Sequence, residues 1–337
     1  MKLSYKIILA LFLCFILWIF VWAMFLPKGD ITQKLLQTVV EQQKHADVAF
    51  KDVTFEEVSD GNKYWSLTAK NATVNKSSNL ATLNEANGTF YKHGKSTLRF
   101  RSPAAVWDMA GKEIALERPL GYDVSLENKI DQIAGHSAKK NGSSVFNLPK
   151  KHQKGQGFWF NASSLTWNLG NQKIACRGDI VLNKGEVTGF ADRLESDVAL
   201  DKTVLQGNPK IIITVDKTTP IIIEADQFAV WSAKDIIEAN GSPRLFWSSA
   251  KVVANQMQYI QNNNLLKLNG NVKITYKEIV ASGDKASYLT ASETIILEGN
   301  ATAVQGNNHL SGNKVKVALK DNKVSVIGKG KVIYTGE

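Results

Sequence analysis

Residues 254–276 read ANQMQYIQNNNLLKLNGNVKITY, and this stretch decides the fold. Every second residue through Gly270 is apolar (Leu266, Leu268, Val272, Ile274, Tyr276), with Lys267, Asn269, Asn271, Lys273 and Thr275 between them. That is the period of a strand, and no helical stripe competes with it. Glycine at the centre, where no side chain resists bending, predicts a long strand kinked across a fold. The run Gln261-Asn262-Asn263-Asn264 is turn chemistry and predicts a hairpin with the strand before it.

The same unit recurs every 29 residues, opening at Ala225, Ala254, Gly283 and Gly312, and a glycine follows each opening residue by sixteen positions: Gly241, Gly270, Gly299, Gly328. Ala162 with Gly178 and Ala191 with Gly207 extend the register to six units. The strand parity through these glycines collects Ile211 and Ile213, Leu245 and Trp247, Leu297, and Val326 on the same inward face as Leu268, Ile274 and Tyr276. Two strands per unit, one long and bent, fit a stack of folded antiparallel hairpins. A parallel β-helix needs about three short strands per coil, and a propeller blade about 40 residues. The expected fold is therefore all-β, an antiparallel jelly-roll or V-shaped β-trough, with shorter strands between the kinked ones.

Upstream, Ile7 to Leu26 is uncharged and rich in Leu, Ile, Phe and Trp, with Ile7, Leu11, Trp18, Trp22 and Leu26 marking its length. At about 1.5 Å per residue it spans a hydrocarbon core of about 30 Å. Lys2 and Lys6 precede it, so the positive-inside rule places the N-terminus in the cytoplasm and the body across the membrane. Trp22-Ala-Met-Phe-Leu26 is too bulky for a signal-peptide cleavage site, which predicts an uncleaved anchor. The expected divisions are 1–29 as tip and anchor, 30–50 as tether, 51–150 as a first β lobe, and 151–337 as the repeat lobe. In the first lobe, Ala69 and Ser102 open looser copies of the motif, but Glu85 and Arg118 stand where the glycines should be. The basic run 139–157 reads as a linker or long loop.

The net charge of +10 is carried by lysines dispersed through strand-like sequence. No basic stripe interleaved with stacking aromatics is present, which speaks against nucleic acid as a partner. The five histidines lie far apart without metal-ligand spacing, and no catalytic constellation assembles, so neither an enzyme nor a cofactor is expected. Ser282 with Lys285, and Ser311 with Lys314, have the spacing of serine acyl-enzymes but repeat with the 29-residue unit, which makes them register positions. Cys176 falls on the inward parity and is expected as a packed thiol. The inward face itself admits two readings, a closed core or a groove splayed along one side. The small residues Ala239, Ala301 and Ala303 among larger ones leave volume unfilled and favour the groove.

The units ADQFAVWSAKDIIEANGSPRLFW, ANQMQYIQNNNLLKLNGNVKITY and GDKASYLTASETIILEGNATAV resemble the repeat of the OstA-like proteins of lipopolysaccharide export. The anchor followed by YWSLTAKNATV and LRFRSPAAVW resembles the inner-membrane bridge component of that pathway, LptC. The resemblance implies a jelly-roll that takes lipopolysaccharide from an inner-membrane ABC extractor and relays it along an apolar groove. The inward residues named above would line the acyl-chain path. It also implies that the last strand, near Lys323 to Tyr334, docks a further OstA-like jelly-roll by its edge.

Overall fold

The computed structural model describes residues 48–59, 61–92, 94–129, 157–214, 219–289 and 292–334. The predicted membrane span, the residues of the tether before Val48, and the basic run up to residue 156 lie outside these. The alternating sequence forms strands throughout. The first lobe holds β1 (Val48–Ser59), β2 (Asn62–Asn75), β3 (Leu80–Lys92), β4 (Lys95–Asp108), β5 (Glu113–Glu117) and β6 (Leu120–Asp123). Next come β7 (Phe158–Asn161), β8 (Ser164–Asn168), β9 (Lys173–Lys184), β10 (Val187–Asp197), β11 (Lys202–Gln206), β12 (Lys210–Ile213), β13 (Ile221–Glu224) and β14 (Gln227–Trp231). The last are β15 (Ile236–Asn240), β16 (Arg244–Trp247), β17 (Ala250–Val253), β18 (Gln256–Ile260), β19 (Leu265–Tyr276), β20 (Ile279–Leu289), β21 (Thr294–Gln305), β22 (Asn308–Ala318) and β23 (Lys323–Ile333).

Twelve of these strands run as six collinear pairs: β5/β6, β7/β8, β11/β12, β13/β14, β15/β16 and β17/β18. With the eleven unbroken strands they make seventeen rungs of one antiparallel meander, each rung bonded to the rungs before and after it. The ladder passes from the first lobe into the second without a break, since β5 pairs with β8 and β6 with β7.

Every rung bends near its middle. In alternate rungs of the repeat region the bend is one of the six register glycines, Gly178 to Gly328, with φ between +71° and +82°. This left-handed backbone is open to glycine and costs an ordinary L residue about 1–2 kcal/mol. The intervening rungs bend too, at the opening residues Ala162, Ala191, Ala225, Ala254, Gly283 and Gly312, where strands are interrupted or the ladder skips. This differs from the expectation of short strands between kinked ones, because a bent rung can pair along its whole length only with neighbours bent at the same place. The residue after the opening one lies over the next glycine, and its backbone N–H donates to that rung, as from Asp192 to Gly207 O (3.0 Å) and Asn255 to Gly270 O (2.9 Å). Side chains pair along the same line, Asn300 Nδ2 donating to Asp284 Oδ2 at 2.9 Å and Asn208 Nδ2 to Asp192 Oδ2 at 3.3 Å.

The first lobe keeps the bend without the glycine. Asp52, Glu85 and Arg118 hold φ of 49°, 51° and 43° on its alternate rungs. Lys70 on the neighbouring strand binds Glu85 at 2.9 Å. The two positions where the sequence lacks its register glycine are thus the same structural corner.

Bending divides the sheet into two arms packed face to face. Arm A contains β5, β8, β11, β14, β15, β18 and the halves of the long strands aligned with them; arm B contains β6, β7, β12, β13, β16, β17 and the other halves. The arms cross with an offset. Phe90 on the third rung meets Trp167 on the sixth, ring centroids 4.2 Å apart, and Trp247 on the eleventh meets Tyr288 on the fourteenth at 6.1 Å.

The bend yields a graded prediction. A Cβ at Gly270 would stand 2.6 Å from Asn255 Nδ2, whereas one at Gly328 meets nothing within 4 Å. Gly270→Ala is expected to lower stability by about 2–3 kcal/mol and Gly328→Ala by about 1 kcal/mol, read as urea-unfolding midpoints of the two proteins.

Candidate functional site

The feature that runs the length of the molecule is the surface enclosed between the arms. One contiguous apolar cluster extends from Trp65 on the second rung to Val324 on the last. It exists because each rung presents one apolar face and the bend turns that face onto the opposite arm. All nine predicted lining residues lie in it: Ile211, Ile213, Leu245, Trp247, Leu268, Ile274, Tyr276 and Leu297 are buried, and Val326 packs against the cluster half-buried. The strand parity read from sequence is therefore the parity of the fold. Leu245, Trp247 and Leu268 come together, with Ala250, Val252, Leu266, Tyr288, Ile295 and Leu319, around a cavity of about 10 Å³.

That cavity is smaller than the sequence suggested. Ala239, Ala301 and Ala303 were expected to leave open volume, yet all three are buried. Protein interiors pack with few voids, and the offset that sets which residues of the two arms face each other is invisible in any single unit. In this conformation the arms are closed on each other.

The titratable groups Cys176, Tyr259 and Tyr288 lie among the buried residues of the interior. Burial pushes the Cys176 thiol well above its usual range and does the same to the Tyr259 and Tyr288 hydroxyls. Tyr259 donates to Asn264 Oδ1 at 2.9 Å at the margin of arm A. A thiol held neutral and inaccessible is a packing group.

Polar chemistry gathers instead where the hairpin tips of the two arms face each other along the mouth of the trough. Lys92, at the arm B tip after β3, reaches Asp201 Oδ2 in the arm A turn between β10 and β11 at 2.8 Å. Its hydrogen bond to Asp201 raises the Lys92 pKa above the ordinary lysine value. Lys184, at the tip of β9, donates to Asp235 Oδ1 at 2.8 Å and to Ser232 O at 3.3 Å, both in the arm A turn between β14 and β15. Further along, Gln305 Nε2 donates to Asn322 O at 2.8 Å and Asn322 Nδ2 to Glu278 Oε1 at 3.2 Å. Sequence reasoning missed these ties, since the partners of each are far apart in the chain and belong to no motif.

The serine–lysine pairs fall on the outer surface. Ser282 Oγ lies 2.8 Å from Thr302 Oγ1, and Lys314 pairs with Glu298 at 2.6 Å. Among the described residues no group of His, Cys, Asp and Glu has the arrangement to hold a metal, and no helix is long and apolar enough to cross a membrane. The proposed anchor residues Ile7, Leu11, Trp18, Trp22 and Leu26 lie outside the described residues.

Both ends of the meander carry a free ladder edge among the described residues: β1 bonds to β2 alone and β23 to β22 alone. The offset between arms also leaves apolar side chains uncovered there. Val332 on the inward parity of β23 is 62% exposed, and Phe50 on β1 is 44% exposed.

A bent antiparallel trough with an unbroken apolar interior defines the class of protein, a β-trough built from repeated hairpins. Residues 161–323 match the family described as LptA/(LptD N-terminal domain) LPS transport protein, so this stretch is LptA-like. Twenty-one chains of solved structures match as well. One is LptH, the LptA homologous periplasmic component of the conserved lipopolysaccharide transport device of Pseudomonas aeruginosa. It is 17% identical, with a TM-score of 0.32, over 35% of this chain and 96% of its own. No curated protein matches the chain.

The closed interior makes core substitutions costly. Leu297→Ala is expected to destabilise the protein by about 2–5 kcal/mol and Ile274→Val by about 0.5–1.5 kcal/mol in urea titrations, the values for fully packed positions.

Proposed function

We propose that this chain is a non-catalytic lipid conduit: a bitopic inner-membrane protein whose periplasmic trough receives lipopolysaccharide from an ABC extractor and relays it toward the outer membrane. The observation that carries this reading is the apolar interior, continuous from the second rung to the last with no polar partition. A ligand with several acyl chains needs such a surface, because it is non-directional and lets a chain slide without breaking specific bonds. The LptA-like match of residues 161–323 supplies the substrate class. The uncharged span Ile7 to Leu26 supports the anchor, and the YWSLTAKNATV and LRFRSPAAVW stretches of the first lobe support an LptC-like role for it.

In this reading Ile211, Ile213, Leu245, Trp247, Leu268, Ile274, Tyr276, Leu297 and Val326 contact the acyl chains once the arms part. The free edge of β23 and its uncovered apolar residues support docking of a further jelly-roll of the same kind, whose first rungs would cover what the offset exposes. A second reading, a scaffold with a permanently closed core, is favoured by the small cavity between the arms.

Photo-crosslinking in cells separates the two. Probes at Leu268, Ile274 and Leu297 are expected to give lipopolysaccharide adducts, and probes at the outward neighbours Lys267 and Lys273 none. Absence of adducts at every inward site in folded, exported protein would establish the scaffold. A parallel measurement tests the edge: Val332→Pro on β23 is expected to abolish capture of a downstream jelly-roll while leaving lipid adducts at Leu268 intact.

A further inference from the structure

We propose that Lys92 and Lys184 form an anion-binding rim at the mouth of the trough. In the closed form Asp201 and Asp235 occupy it; in the loaded form the anionic headgroup of a phosphorylated amphiphile does, with its acyl chains between the arms. The inference rests on the conduit reading and adds the residues that open the trough and select its ligand.

The geometry is specific. Each lysine stands on a hairpin tip of arm B and each aspartate on a tip of arm A, so parting the arms must break both pairs. The lysines are 45% and 26% exposed, within reach of a headgroup that stays in water while its chains enter the apolar space. A lysine ammonium offers three donors on a flexible stem and accepts phosphate in place of carboxylate without a fixed fork geometry. Lys184 sheds a second acceptor as well, the Ser232 carbonyl.

A ligand can shift an equilibrium only by binding one state better than the other. Acyl chains and headgroup together meet that condition here, since the apolar walls and the unpaired ammonium groups become available in the same movement. The tie nearest the C-terminal end, Gln305 and Glu278 with Asn322, contains no cation and therefore acts only as a fastening. Lys92 and Lys184 stand on the third and seventh rungs, roughly 19 Å apart at ordinary strand spacing, which makes them successive stations along the trough.

The test uses the full-length chain in detergent with fluorescent lipopolysaccharide and its enzymatically dephosphorylated form. Lys184→Cys with Asp235→Cys, in a Cys14→Ala background, is joined by a short bis-thiosulfonate reagent that dithiothreitol cleaves; Cys176 is buried and does not compete. Joining is expected to cut lipid capture at least tenfold below that of the same double-cysteine protein left unjoined, and reduction to restore the unjoined level. Wild type is expected to prefer the phosphorylated lipid by about tenfold, as for charge-assisted contacts, and Lys92→Gln/Lys184→Gln to capture both forms equally. Asp201→Asn/Asp235→Asn, which unties the mouth and keeps both lysines, is expected to capture several-fold faster.

Undiminished capture by the joined protein, or an unchanged phosphate preference in the double glutamine variant, overturns the proposal while the conduit reading stands. Wild-type protein that captures no lipopolysaccharide at all overturns both. Variants are compared at matched urea midpoints, so a folding defect is not read as loss of capture.

Discussion

A strand with a single apolar face has to cover it, and here each strand covers it by turning back toward its own sheet. The rest of the structure depends on that bend. It requires left-handed backbone in every second rung, and the repeat region meets the requirement with glycine at six consecutive corners, followed at five of them by a second left-handed residue such as Asn271. Neighbouring rungs must bend at the same place or lose their ladder bonds, so the corner becomes a line running along the molecule, fastened by Asp and Asn side chains stacked from rung to rung. The first lobe shows that the geometry outranks the residue: Asp52, Glu85 and Arg118 accept the left-handed conformation because paired neighbours leave the chain no alternative.

Two kinds of force hold the arms together, and they differ in strength. Burying one Leu or Ile side chain contributes about 1.5–3 kcal/mol, and dozens line the interior. A solvent-exposed ion pair such as Lys92–Asp201 contributes far less, because water screens it. The closed trough is therefore held by apolar area, and the ties at the mouth set alignment more than adhesion. This asymmetry suits a carrier of acyl chains. Separating bare arms exposes their inner faces to water, but a lipid entering between them replaces one apolar contact by another, so the free energy of opening falls when the ligand is present.

The offset of about three rungs between facing arms gives the two ends opposite deficits. Among the described residues, the inner faces of arm A near β1 and of arm B near β23 have no facing arm, and apolar residues there are partly exposed beside the open ladder edges. Each end therefore leaves both kinds of continuity, backbone pairing at the edge and side-chain packing across the interior, incomplete among the described residues. The join between the lobes displays the same continuity inside one chain, with β5 and β6 handing the ladder to β8 and β7 on the far side of a long connection.

The sequence by itself determined which residues of the repeats face inward, where alternate rungs bend, and that the hairpins run antiparallel. All three are local. Parity needs only neighbours two positions apart, as in Leu266, Leu268, Val272 and Ile274, and the bend is written in Gly270 and its copies at 29-residue spacing. What only the tertiary structure decided is how the arms meet: the offset that brings Phe90 to Trp167, the closure that buries Ala301 and Ala303, and the ties from Lys92 to Asp201 and Lys184 to Asp235. These depend on the crossing of the arms accumulated over many rungs, a property no single 29-residue unit contains. The same dependence kept the bend at the opening residues out of sight, since Ala254 bends only because Gly270 beside it does.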